Sequence, residues 1–439
     1  MAKKQEKLNK PKTKSTPIKN TKELEWFRLD NAALIYPAVS TNKWNSVYRV
    51  SVILNDEVNK DVLQQALNDI MPRFPHFNVT LKKGIFWFYF QEISTNPVVT
   101  IDENYPCRKM DLKNNKHLFR VLYYNKKISF EAFHSLTDGF GAMAFINTLL
   151  GRYFTLLGHK IERSDYLINC LDKPSPEETE DSFKRYADLK TRNPWKENTA
   201  YRIIGTDDEL GKLNIISGIM DARQVKEVAH TFDATITEFL LAIFFKSIIN
   251  YQTVRGSYSN KPIKISMPID LRNVFKTETL RNFSSYVNLE LYNDSFGLDL
   301  QEIINKIKER TRKIDKNYVM GNINANVKAQ KNFFLRITPL IIKNLLLKIV
   351  YSIVGEKLVT TTMSNIGNLK TPPEFKELID RYEINLGAGK LNVLGSTVIT
   401  FNNKLVYTFA STIKETAIQK YFFKTLSDYG INIRVESNL

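Results

Sequence analysis

Cysteine is nearly absent from this chain: 439 residues include two, Cys107 and Cys170. Two thiols cannot build the disulfide framework of a small secreted domain, and their scarcity fits a reducing compartment. Histidine is also scarce, at five residues, and no spacing of His, Cys and carboxylates has the pattern of a metal site, so none is expected. Uncharged apolar runs of about 18 residues are missing, which argues against a membrane-spanning helix. The opening Met-Ala-Lys-Lys-Gln-Glu-Lys lacks the apolar core of a secretory signal. A cytoplasmic protein is therefore expected. Acidic residues are in the minority, 46 against 63 Lys and Arg, for a net charge of +17. Residues 1–20 alone carry seven Lys and one Glu, a tail expected to be disordered. The remaining positive charge is scattered among carboxylates, with no aromatic-interleaved basic patch and no finger, knuckle or helix-turn-helix pattern. No nucleic-acid partner is expected; an anionic ligand or a membrane surface explains the surplus as well.

What is present is ample core material. Hydrophobic residues make up 43% and aromatics 12%, and the length allows two or three domains. We expect an α/β protein of mixed sheets in two domains, 21–170 and 201–439, joined by a polar linker over 171–200. Alternation predicts a strand at 46–54, and a one-faced apolar pattern predicts a helix at 60–71. The second half restarts with the same grammar: a strand at 212–220, helices at 221–229 and 237–251, and strands at 263–267 and 283–292. A hairpin turning at Asn402-Asn403, a helix at 415–429 and a final strand from Ile431 complete it. The similar order suggests a duplicated domain with a cleft between the copies.

The chemistry concentrates in Phe133-His134-Ser135-Leu136-Thr137-Asp138-Gly139. A β-prone stretch, Lys127 to Phe133, ends in the histidine, and an apolar-periodic helix begins after the glycine. A strand end holds an imidazole rigidly while leaving it facing a cleft, and its near-neutral pKa suits proton abstraction from an alcohol, thiol or amine. The structural alternative is a histidine closing a strand, with Asp138 as the N-cap of the following helix. Gly139 lets a ligand or a strand approach the backbone, or simply eases the helix start. The other histidines (His76, His117, His159, His230) have no motif context and are read as structural or surface residues.

The His134–Gly139 motif resembles the HxxxDG element of the chloramphenicol acetyltransferase-like and condensation-domain superfamily. The opening Phe27-Arg28-Leu29-Asp30-Asn31-Ala32-Ala33, the segment Pro268-Ile269-Asp270-Leu271-Arg272 with Asn282-Phe283 beyond it, and Ser364-Asn365-Ile366-Gly367 carry the same resemblance over most of the chain. It is nearest to the bacterial proteins described as alcohol acetyltransferase-like. The resemblance implies two chloramphenicol-acetyltransferase-like domains in a V shape with a tunnel at their interface. It implies an O-acyltransferase that moves an acetyl or longer acyl group from acyl-CoA, or a pantetheine thioester, to an alcohol or amine. His134 would be the general base, with no permanently bound cofactor. Asp138 and Arg272 would brace the site as an ion pair across the domains. Gly139, Ser364, Asn365 and Gly367 would contact substrate or thioester; for the last three, a β-bulge is the structural alternative. A monomer is expected. Condensation domains typically carry a second histidine where this chain has Phe133, which favours free small acceptors over carrier proteins. Condensation on a carrier-protein thioester, or thioester or lipid binding without turnover, are the competing readings.

The stretch 333–351 is strongly apolar and carries only cations. Helices apolar nearly all round are usually buried, so a core helix between the domains is expected. A peripheral membrane contact through 333–351 is the other reading its charge allows.

Overall fold

The structure, a computed structural model, describes residues 24–41, 45–112, 116–192, 197–208, 212–257, 259–295, 297–387, 389 and 391–439. The Lys-rich tail expected over 1–20 lies outside the described residues. Two mixed sheets organise the molecule. One has five strands in the order Ile379–Leu386, Val47–Leu54, Lys127–Phe133, Phe119–Tyr124 and Thr100–Ile101. The other has seven, in the order Ser284–Leu291, Ile263–Asp270, Thr361–Asn368, Leu394–Phe401, Lys404–Ser411, Asn214–Asp221 and Ile433–Ser437. A small three-stranded sheet joins Trp26–Arg28, Phe88–Glu92 and Val79–Lys83.

The strand Lys127–Phe133 is central in the first sheet, flanked on both sides by antiparallel partners. The helix after it, Gly139–Leu156, is apolar on most sides because it is buried on most sides. Phe130 on the strand and Phe145 on the helix meet at 5.0 Å between ring centroids, and Phe77 stacks on Phe145 at 4.7 Å. Such pairs add roughly 0.5–1.5 kcal/mol each beyond the area they bury. They fix the strand and the helix that bracket the His134 turn. In the second sheet the long helix Ile236–Arg255 plays the covering role. It starts at a capping box, Thr235 with Glu238, and stops at Gly256 with φ 60°.

The core divides into two clusters, of which the one holding the first sheet also takes in Ile219, Ile399 and Val406 of the second. The chain does not divide as simply. Strand Ile379–Leu386 leaves the second half and pairs along Val47–Leu54 of the first sheet, so one strand crosses the division expected at 201–439. Its alternating pattern marks a strand, but nothing in it names the sheet it joins. The linker expected over 171–200 is anchored at Glu178. Glu178 forms a buried, two-bonded ion pair with Arg73 at 2.6 and 2.7 Å, and its carbonyl accepts from the Leu280 amide at 2.8 Å.

The stretch 333–351 departs from the expectation of a core helix. It forms two helices, Phe333–Ile337 and Leu340–Val350, of which only Leu340 and Lys343 are buried. No helix among the described residues is long and apolar enough to cross a membrane.

Candidate active site

His134 follows the last residue of its strand and extends the ladder, its amide donating to the Ser46 carbonyl at 2.9 Å. Its ring is half-buried and lies in the wall of a chamber of about 1260 Å³ lined by residues of both halves. Tyr36, on the short helix Ile35–Val39, stacks on the imidazole at 4.6 Å, and Tyr48 tilts against it at 4.9 Å. The Tyr48 hydroxyl in turn donates to the Thr137 and Asp138 carbonyls, both at 3.1 Å, and so ties the motif turn to the sheet.

The protonation of His134 follows from its neighbour Asn282. The Asn282 Nδ2 faces two acceptors, Asp30 Oδ2 at 3.3 Å and the Ser135 carbonyl at 3.5 Å. That fixes the amide so that its Oδ1 points at His134 Nδ1, 3.1 Å away. An oxygen there needs a proton on Nδ1, which leaves the lone pair on Nε2. Nε2 makes no hydrogen bond to the described residues. Burial, the largest influence, pushes the His134 pKa below its ordinary 6.5, against opposing pulls from its own backbone, Asp138 and Asn282. The lowered value keeps the ring neutral at pH 7, with its free base ready. If this imidazole limits the rate, the acid limb of a kcat/KM–pH profile is expected below pH 6.5; a limb centred above pH 7 would contradict the assignment.

Beneath Asn282, Asp30 is fully buried, and burial pushes its pKa up to about 6 despite the Arg281 guanidinium, whose Nε lies 3.5 Å away. Asp30 also caps the turn that carries Tyr36, accepting from the Ala33 amide at 2.8 Å. The opening Phe27–Ala33 segment therefore reaches the site as the second layer behind His134.

Asp138 and Arg272 come together as the resemblance implied. The guanidinium donates to both carboxylate oxygens, at 3.0 and 3.3 Å, with both side chains buried. Asp138 is also the N-cap of Gly139–Leu156, accepting from Gly141 at 3.2 Å, and it takes the Phe283 amide at 2.8 Å. The capping and ion-pair readings thus hold at once. Arg272 spends its remaining donors on Asp270, the Thr279 carbonyl and the Arg281 carbonyl, and its plane lies over Phe140 at 4.4 Å. The pair clamps segment 279–283 onto the motif turn. Thr137 completes that clamp by donating to the Leu280 carbonyl at 2.6 Å.

The close backbone approach falls at Gly141 rather than Gly139. A Cβ on Gly141 would stand 2.2 Å from the Leu280 carbonyl oxygen, whereas one on Gly139 would make an ordinary 3.7 Å contact with Ile366. Gly139 itself borders the chamber.

Ser364, Asn365 and Gly367 lie on strand Thr361–Asn368, where pairing with Leu394–Phe401 slips by one residue between Asn365 and Gly367. Gly367 takes φ 81° to allow this bulge. Asn365 serves it on both sides: its oxygen accepts from the Gly367 amide at 2.8 Å and its nitrogen donates to Thr237 at 2.7 Å. Ser364 and Asn365 border the chamber, and Gly367 is not among its lining residues. The Ser364 hydroxyl makes no hydrogen bond among the described residues and, like that of Thr362 on the same strand, is left for a ligand.

Sequence reasoning missed Tyr36, Tyr48, Asp30 and Asn282 as site residues. Asn282 and Asp30 stood in segments that carried the resemblance; the two tyrosines had no signal. Among the described residues, no group of three or more His, Cys, Asp and Glu side chains is placed to hold a metal ion.

No family model matches the sequence, and no curated protein matches it. Solved structures do match the fold. Polyketide synthase associated protein 5 from Mycobacterium tuberculosis aligns with a TM-score of 0.61 at 12% identity, over 91% of this chain and 96% of that one. Trichothecene 15-O-acetyltransferase from Fusarium sporotrichioides aligns at 0.60 and 11%, over 92% and 94%. The starter condensation domain of rhizomide synthetase, solved in complex with C8-CoA, aligns at 0.59 and 11%, over 92% and 94%. The chain shares the fold of these proteins over nearly its whole length.

Proposed function

We propose that the protein is an acyltransferase that moves an acyl group from a CoA-type thioester to an alcohol or amine, with His134 as general base. The observation that carries this reading is an imidazole whose Nδ1 meets the Asn282 side-chain oxygen and whose Nε2 has no partner among the described residues, in the wall of a chamber lined by both halves. Two fold relatives are in keeping with it, one an O-acetyltransferase and one crystallised with an acyl-CoA. In the proposed reaction, Nε2 takes the proton of the acceptor O–H or N–H as that atom attacks the thioester carbonyl. The tetrahedral oxyanion meets the Ser364 hydroxyl, a donor in the chamber wall with no partner among the described residues. Collapse breaks the C–S bond, and the proton on Nε2 passes to the departing thiolate, which returns the histidine to its starting form. Tyr36, Tyr48 and Asn282 position the ring. Asp138 and Arg272 hold the turn. Phe133 stands where a second histidine would, which supports a free acceptor over one carried on a protein.

The reading is tested by following thiol release from acyl-CoA with a panel of alcohols and amines. Release that depends on the acceptor is expected. Tight CoA binding with no release for any acceptor would replace transfer with binding alone.

A further inference from the structure

A solvent-facing apolar surface lies outside the chamber, on the helices Phe333–Ile337 and Leu340–Val350. Ile341 is 86% exposed, Phe334 75%, Phe333 67% and Leu345 62%, and Ile85 on the adjoining turn is 77% exposed. Singly exposed apolar residues need no explanation, but a contiguous patch of this kind marks a surface that meets another phase or molecule. The patch is held firmly. The Leu340 amide donates to the Ile85 carbonyl at 2.8 Å, and Lys343 reaches inward to the Phe86 carbonyl at 2.7 Å, its ammonium 3.4 Å above the Trp87 ring. Buried in this way, Lys343 acts as a fastener, and the helix keeps its apolar side outward.

Charge identifies the occupant. The 40 residues from Lys316 to Gly355 contain no Asp or Glu, and Lys328, Lys331, Arg336 and Lys348 are exposed around the apolar face. An apolar stripe rimmed by cations alone matches an anionic lipid surface, where rings and aliphatic chains sink to the acyl boundary and lysines meet headgroups. A second copy of the same face would bring like charges together.

The face is also continuous with the site. Helix Leu340–Val350 packs on the short helix that carries Tyr36, the ring stacked on His134. It runs on into the turn Tyr351–Gly355, and Tyr351 and Glu356 border the chamber. We infer that this face docks on an anionic bilayer and that the acceptor is a membrane-dissolved, long-chain alcohol or amine entering the chamber past Tyr351. The docking stands by itself; the acceptor class rests on the acyl-transfer reading above.

The test uses the whole chain and the variant Ile341→Glu/Leu345→Glu, altered only at exposed positions. Wild type is expected to co-sediment with vesicles of phosphatidylcholine and phosphatidylglycerol, less so at high salt or without the anionic lipid. The variant should bind at least about tenfold more weakly. Both should acylate a short water-soluble alcohol at equal rates, while the variant loses at least about tenfold on a long-chain alcohol held in vesicles. Wild type left in the supernatant overturns the docking. So does self-association that the variant abolishes, since the face would then be covered by a second copy. Equal rates on the vesicle-held alcohol overturn the entry route. If neither protein releases thiol with any acceptor, acyl transfer fails, and sedimentation still decides the docking.

Discussion

His134→Ala should lower kcat by about 10²–10⁴-fold, the range for removal of a general base, while the protein stays folded. The fold tolerates the change because the backbone contact of residue 134 to Ser46 remains and Phe133 keeps its place in the core. What is lost is the Tyr36 stack and the Asn282 hydrogen bond, together worth roughly 1–3 kcal/mol. KM for the thioester should change much less than kcat, since the imidazole meets the acceptor proton and not the body of the donor. Turnover within a few-fold of wild type would remove His134 from the chemistry. A collapse in soluble yield matching the loss of rate would show that it works as a structural residue.

The largest effect on stability is expected at the brace. Arg272→Ala strands the Asp138 carboxylate in a buried position, and Asp138→Ala strands the Phe283 amide and uncaps Gly139–Leu156. Removing one partner of a buried pair costs about 3–5 kcal/mol. Each variant should therefore show a lower urea midpoint and a lower soluble yield, with any folded fraction retaining much of its turnover per molecule. Arg272→Lys should restore little, because a single ammonium cannot serve Asp138, Asp270 and two carbonyls in one plane. A variant at either position that is fully stable and merely slow would mean that the pair acts in catalysis and not as a clamp.

Local chemistry was legible in the sequence wherever neighbours along the chain decide the outcome. The strand Lys127–Phe133, the Asp138 cap and the helix after it follow from alternation, a short acceptor side chain and apolar periodicity. The hairpin at Asn402-Asn403 follows from residues that tolerate positive φ, which both adopt. Arg272 came only through the resemblance, because its partner lies 134 residues away. Asn282, 148 residues from His134, was legible as part of a shared segment but not as the group that sets the tautomer. Tyr36 and Tyr48 are ordinary aromatics until two strands and a short helix close around one ring. For Asn365 the β-bulge given as the structural alternative is what forms, and it consumes both ends of the amide. The helices over 333–350 go against the expectation. Apolar composition normally means burial, yet none of the described residues covers their outward side, and the physical clue was the absence of carboxylates rather than the apolarity.

The central claim, that the Nε2 of His134 draws a proton from an acceptor poised against a thioester, is met most directly by tracing the acyl group itself. Wild type and His134→Ala would each be given acyl-labelled CoA with an alcohol, and the products followed by mass spectrometry at pH 7. The label is expected on the alcohol with wild type and not with the variant. Label remaining on CoA, or appearing as free acid at the same rate with both proteins, would contradict the account.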